Sequence, residues 1–251
     1  MTTELATWIG KDDPPEAFPD VSRALAEPDG LLAAGGDLSP ERLLYAYQRG
    51  IFPWYDEGQP ILWWSPNPRC VFYPGAYRVS KRLRRDLKKH DATVSFNRAF
   101  NAVVEACAGP RAQQDGTWIT TDIMTAYARL HELGWAHSVE IWRGDRLIGG
   151  MYGLAIGKAF FGESMFSRED NGSKLALLSL CSVLREHQFE ILDCQVVSEH
   201  LLTLGAVAIP REDFTAILAR ACEPAESFAC WPQELLPIQA FGPAAPDASL
   251  Q

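Results

Sequence analysis

The sequence predicts an α+β protein: a small N-terminal domain, then a larger one built on a mixed, mostly antiparallel sheet flanked by helices. Three observations carry this expectation. From His137 the hydrophobic period becomes two, so residues 137–143, 146–156 and 158–166 read as strands joined by tight turns at Gly144-Asp145 and Gly157. The apolar helical run LALLSLCSVL then leads into residues 189–197, a strand-helix-strand passage that lays its last strand parallel to a neighbour. Proline density falls near residues 70–76, which sets the domains at 1–72 and 73–236 and leaves 237–251 as a disordered tail.

Along the chain, Ser39-Pro40 supplies a capping residue and a first-turn proline for a helix through Leu43, Leu44 and Tyr47 that ends at Gly50. Residues 50–69, GIFPWYDEGQPILWWSPNPR, follow with five aromatic side chains and four prolines. Each proline fixes its own φ and extends the residue before it, so the backbone is stiff and Trp54, Trp63 and Trp64 sit on a rigid frame. Such a frame is either a wall for an aromatic or aliphatic ligand or core packing. A basic helix is expected near residues 80–90, a short strand at 92–94, a helix at 97–108 ending at Gly109-Pro110, and another from Thr121 to Gly134. Ser173 is placed to cap the apolar helix. Gly149, Gly150 and Gly153 fall inside a strand, where glycine marks a bulge or a close backbone approach.

Composition narrows the function classes. No run approaches 18 apolar residues and the N-terminus carries no basic segment before an apolar one, so neither a membrane span nor a secretory signal is expected and the compartment is cytoplasmic. The six cysteines form no C-x-x-C pair and stand apart from the histidines in sequence, which reads as free thiols and no metal site.

The net charge of −9 hides an asymmetry, because residues 78–90, RVSKRLRRDLKKH, carry seven of the 23 Lys and Arg residues and one acid. Counted from Arg78, the residues Arg78, Lys81, Arg82, Arg85, Lys88 and Lys89 share one helical face, with Val79, Leu83 and Leu87 opposite. Against an acidic remainder, that face suits a polyanion such as a nucleic-acid backbone; the plainer alternative is a solvated helix face.

Two strands carry polar residues where a core strand is apolar. In AFFGESMFS, alternation groups Phe161, Glu163 and Met165 on one face; in EILDCQVV it groups Asp193 with Gln195 and turns Cys194 away. A carboxylate between Leu192 and Val196 needs a partner, either a reacting group or a hydrogen-bonded network that fixes the sheet. Cys194, turned from those groups and without an adjacent histidine, is the weaker candidate for covalent chemistry.

Taken in order, GLLAAGGDLSPERLLYAYQRGIFPWY, PILWWSPNPR, GTWIT, LHELGWAHSVEIW, GGMYG, GESMFSR, LDCQV and HLLTLGA resemble the bacterial leucyl/phenylalanyl-tRNA–protein transferases over most of the chain. The resemblance implies transfer of Leu or Phe from aminoacyl-tRNA to proteins with N-terminal Arg or Lys, which marks them for N-degron proteolysis. It implies a GNAT-like acyltransferase domain, Leu-tRNA, Phe-tRNA and also Met-tRNA as donors, a monomer, no membrane partner and no cofactor. By motif, Trp54, Trp118, Met151 and Phe160 line the pocket for the aminoacyl side chain and terminal adenosine. Glu163, Asp193 and Gln195 are the catalytic positions, and the basic helix meets the tRNA acceptor stem. Asn67 stands where the family often has aspartate. In this reading Asp193 fixes the amide of Gln195, whose carbonyl accepts from the attacking amine, and Glu163 holds substrate groups. The rivals are an acyl-CoA N-acetyltransferase, which needs a Gly-rich pyrophosphate loop where SREDNGSK offers only Gly172, and a non-catalytic RNA-binding module.

Overall fold

The computed structural model describes residues 6–88, 90–109 and 118–241. The chain opens with β1 (Thr7–Ile9), β2 (Leu31–Gly35), α1 (Pro40–Gln48), β3 (Phe52–Pro53) and β4 (Leu62–Trp64), whose strands form a four-stranded sheet in the order β1-β2-β4-β3. There follow β5 (Arg69–Phe72), α2 (Lys81–Leu87), β6 (Thr93–Phe96), α3 (Phe100–Ala108), α4 (Thr121–Glu132), β7 (Ala136–Arg143), β8 (Arg146–Ile156) and β9 (Ala159–Ser167). The chain continues with α5 (Gly172–Glu186), β10 (Ile191–Asp193), α6 (Glu199–Leu204), β11 (Val207–Ile209), α7 (Arg211–Ala221) and β12 (Leu236–Pro237). The large sheet runs β11-β5-β10-β9-β8-β7-β6-β12, with β9 and β10 parallel and the other pairings antiparallel. This is the mixed α+β sheet read from the sequence, with the parallel pair made by the α5 crossover.

Helices cover both faces. On one side α1, α3, α4 and α7 share a core with the small sheet, in which Ile9, Tyr47 and Trp63 pack with Leu154, Phe161 and Phe214. On the other side α2 and α5 pack Leu83, Leu87 and Leu180 against Val94, Phe160 and Leu192. Because the small sheet lies on the large one through that first core, the two share a hydrophobic interior. Arg69–Phe72, assigned by composition to the end of the first domain, is a strand of the large sheet, paired on both sides by β10 and β11.

The C-terminal boundary also moves. Pro237 pairs with Thr93, Ile238 is fully buried and Phe241 packs on Phe96 at 5.9 Å, so residues 237–241 close the sheet edge instead of starting a tail. Residues 242–251 lie outside the described part.

The glycines of β8 behave as their position in a strand implied. A Cβ on Gly149 would stand 2.5 Å from the backbone of Gly172, and one on Gly153 would stand 2.1 Å from the carbonyl oxygen of Phe161. Ser173 does not cap α5; Asn171, in the left-handed region at φ 67°, precedes the helix, and the Ser173 N–H donates to Ser167 Oγ. No helix among the described residues is long and apolar enough to cross a membrane.

Candidate functional site

The site forms where β9 and β10, the parallel pair, part company. Between Tyr152↔Ser164 and Gly153↔Gly162 the register slips, so β9 carries one extra residue, Glu163, in a β-bulge. The bulge reverses alternation beyond it: Glu163 lies with Phe161 on the α1–α4 side as expected, but Met165 crosses to the α5 side and Phe166 takes its place. Simple period-two counting cannot see an inserted residue.

Glu163 is buried among side-chain donors. Its Oε1 accepts from Tyr47 Oη at 2.7 Å and from Gln195 Nε2 at 2.9 Å, and its Oε2 accepts from Tyr127 Oη at 2.8 Å. The two phenol oxygens also meet each other. Burial pushes the Glu163 carboxyl up to about 7, offset by the Tyr47, Tyr127 and Gln195 donors, while the charge of Asp193 pushes the same way as burial. Burial and the Glu163 charge in turn hold both phenols well above their ordinary range.

Asp193 ends β10 and Gln195 does not continue the strand. Gln195 has φ 62°, a left-handed turn, and its backbone N–H donates to Asp193 Oδ1 at 2.9 Å. The expectation that Asp193 fixes the side-chain amide is therefore corrected: Asp193 holds the backbone, and Glu163 holds the amide. Asp193 itself is paired with Arg69, both fully buried, through Arg69 Nε to Oδ1 at 2.8 Å and Nη2 to Oδ2 at 2.7 Å. This bidentate guanidinium answers the cost of a carboxylate in an apolar strand.

Glu163 and Gln195 open into a cavity of about 200 Å³ lined also by Phe52, Pro53, Trp54, Trp118, Cys194 and Val196. Cys194 contributes to the lining, but its thiol packs into the α5-side core beside Cys70 and Cys181, turned from Gln195 as strand alternation implies. Burial holds its thiol far above its ordinary range, in the protonated, poorly nucleophilic form.

Trp54 is 42% exposed and flanks the cavity; Trp64 packs on it at 5.7 Å and donates from Nε1 to its carbonyl oxygen at 2.6 Å. Trp63 is fully buried, its Nε1 donating to the Gly35 carbonyl oxygen. Of the four pocket residues inferred by resemblance, Trp54 and Trp118 come together here. Met151 and Phe160 do not line this cavity; both are buried in the core on the α5 side, with Phe160 edge-on to Trp231.

On the basic segment, Ser80 caps α2 by accepting from the Leu83 N–H, and Leu83 and Leu87 turn inward as expected. Lys81, Arg82, Arg85 and Lys88 are exposed, Arg84 with them. Arg82 and Arg85 stand 3.8 Å from Asp86 yet remain 81% and 74% exposed. Arg78 precedes the helix, so the helical count from it does not hold, and Lys89 lies outside the described residues.

Tyr47, Tyr127 and Arg69 escaped the sequence reading. The tyrosines occupy helix positions whose pattern reads as core, and Arg69 ends a proline-rich loop. A charged residue heading the apolar run Cys70-Val71-Phe72 was the available signal for the last. Asn67, the departure from the family pattern, accepts from the Arg211 N–H through Oδ1 at 3.0 Å and so ties the loop to the start of α7.

A cavity at the carboxyl ends of a parallel strand pair, floored by a carboxylate and an amide and walled by tryptophans, defines a substrate-binding enzyme of the α+β class. The chain belongs to the leucyl/phenylalanyl-tRNA–protein transferase family, whose model, described as "Leucyl/phenylalanyl-tRNA protein transferase", matches residues 71–219, with the family's N-terminal domain on residues 36–67. Curated transferases of that name are similar over most of the chain: one from Stutzerimonas stutzeri is 54% identical over 86% of this chain and 94% of its own, and one from Cellvibrio japonicus is 56% identical over 82% and 88%. Among solved structures, a GCN5-related N-acetyltransferase from Kribbella flavida aligns with a TM-score of 0.37 at 12% identity, covering 68% of this chain and 61% of that one.

Proposed function

We propose that this transferase moves Leu or Phe from aminoacyl-tRNA to the α-amino group of polypeptides that begin with Arg or Lys, in the N-degron pathway. The observation that carries the reading is the Glu163–Gln195 pair opening into a small cavity walled by Trp54 and Trp118. The aminoacyl side chain lies against the tryptophans, and the ester carbonyl is presented to the polar floor. Leu and Phe fit an apolar wall, although such a wall separates substrates differing by one methylene by only about 1–3 kcal/mol. The acceptor nitrogen forms a bond to the ester carbon, the bond to the ribose oxygen breaks, and the proton lost by the amine ends on that oxygen. An ester becomes an amide, so no ATP is consumed.

The residues divide that work. Because Glu163 engages Nε2 of Gln195, the amide oxygen is left to accept from the incoming amine and orient its lone pair. A carboxyl poised near 7 suits taking the amine proton and returning it to the leaving oxygen. The carboxylate and the net charge of −9 also favour a cationic acceptor. The exposed cations of α2, with Arg78, receive the acceptor stem.

Radiolabelled Leu-tRNA mixed with a peptide beginning in Arg is expected to give labelled peptide, with acetyl-CoA inactive as donor. Acetylation without leucylation would point to the rival acetyltransferase; tRNA binding with neither product would point to a binding module. Charge reversal at Arg82 and Arg85 is expected to weaken aminoacyl-tRNA binding and flatten its salt dependence, and an unchanged slope would put the tRNA elsewhere.

A further inference from the structure

We infer that Arg69 is a positioning residue for the transfer, a single buried guanidinium that sets both halves of the reacting cavity; the inference rests on the function proposed above. The fork toward Asp193 accounts for one half. With both Asp193 oxygens held at 2.8 and 2.7 Å, Oδ1 is aimed to accept from the Gln195 N–H at 2.9 Å, which keeps Gln195 in its left-handed turn. The Gln195 carbonyl oxygen is taken by the Cys70 N–H, next to Arg69 on β5.

The remaining Arg69 nitrogen accounts for the other half. Nη1 donates to the carbonyl oxygen of Gly50 at 2.9 Å, just beyond α1, the helix from which Tyr47 reaches Glu163. The guanidinium is clamped between the rings of Phe52 at 4.8 Å and Phe214 at 4.6 Å. Gly50 itself has φ 75°, and a Cβ there would stand 2.9 Å from the Phe214 ring, so the carbonyl is brought to Arg69 by a residue that only glycine fits. Gln195 and Tyr47 both touch Glu163, and both are referenced to Arg69. A lysine offers a point charge and cannot span these three acceptors in one plane.

The alternative is an ion pair that only stabilises the sheet, and two variants separate the roles. In Arg69→Lys, kcat for Leu transfer is expected to fall about 30-fold or more while KM for Leu-tRNA and for the Arg peptide stays within about 3-fold. In the double variant Arg69→Met, Asp193→Leu both charges leave together, so the protein is expected to fold and yet lose transfer by about 100-fold or more. A folded variant of either kind with kcat within about 3-fold of wild type overturns the inference. So does a double variant that no longer folds, since Arg69 is then a structural tie.

One readout does not depend on activity. The Gln195 side-chain amide pair in a 15N–1H spectrum, identified by its loss in Gln195→Glu, is expected to shift in Arg69→Lys. An unmoved pair overturns the inference whether or not wild type transfers Leu, whereas an inactive wild type with a shifted pair overturns only the proposed reaction.

Discussion

The large sheet buries two glutamates, Glu163 on β9 and Glu140 on β7, and burial raises the carboxyl pKa of each. Their surroundings differ in kind. Glu140 accepts from the hydroxyls of Ser95 and Ser138 and, at 3.4 Å each, from the backbone N–H groups of Arg98 and Ala99. Those amides belong to the two residues that lead into α3, whose capping position, Ala99, offers no side-chain acceptor. Glu140 therefore anchors the turn that enters α3 from across the sheet. Glu163 accepts from two phenols and an amide, and its open side is the cavity under Trp54 and Trp118. Burial and a raised pKa mark a carboxylate that the fold constrains; only an open side makes it available to a substrate.

The sharpest test of that contrast is the same substitution at both places. Glu163→Gln is expected to lower Leu transfer about 100-fold or more, the scale of a lost acid–base group, and to leave the fold intact. Glu140→Gln is expected to leave kcat alone and cost about 1–3 kcal/mol in urea unfolding, because a carboxamide cannot accept at every donor that the carboxylate satisfies. Equal losses of transfer in the two variants would break the comparison.

Stability against pH separates them next. A Glu163 carboxyl raised from 4.5 to about 7 binds its proton more tightly folded than unfolded. The protonated form is favoured by folding, so this contribution is full below about pH 4.5 and is lost as pH rises toward 7, on the order of 3 kcal/mol in all. Glu163→Gln is expected to remove that decline in Tm between pH 5 and 7 and to be more stable than wild type near pH 8. Glu140, whose carboxyl is raised with hydroxyl and amide donors pulling against burial, contributes with the same sign. If the decline persists in Glu163→Gln and vanishes in Glu140→Gln, the two environments have been assigned the wrong way round.

The sequence made the large sheet legible because its strands are long and alternate: residues 146–156 form the strand expected for them. Its shortest elements were hidden. β10 keeps three residues of the nine read as strand, since Gln195 turns left-handed, and the left-handed turn depends on Asp193 and Arg69, which come together across 124 positions. The site was legible as residue types, Glu163, Asp193 and Gln195 being polar in apolar strands, but its wiring was not. Tyr47 and Tyr127 look like helix core in sequence, and only the packing of α1 beside α4 brings both hydroxyls onto one carboxylate. The aromatic segment divides between the two alternatives, with Trp63 in the core and Trp54, just past β3, at the cavity, since alternation along β4 turns Trp63 inward and sets Trp64 against Trp54.

The smallest expected effect probes the donor shell itself. Tyr127→Phe removes the hydroxyl that serves Oε2 and leaves Tyr47 and Gln195 on Oε1, so the carboxylate keeps two of its three side-chain donors. Losing a donor to the charged form raises the carboxyl pKa further. Transfer near pH 7 is therefore expected to fall only about 3- to 10-fold, with the rise of kcat/KM with pH displaced to higher pH. The acceptor amine titrates in the same region, at about 7.7–8.0 in model peptides. Its contribution cancels when variant and wild type are compared on one peptide, so the displacement reports Glu163. A profile lowered uniformly at every pH would mean that Tyr127 supports the packing of α4 on the sheet without tuning the carboxyl, and Glu163 would then resemble Glu140 more than the cavity implies.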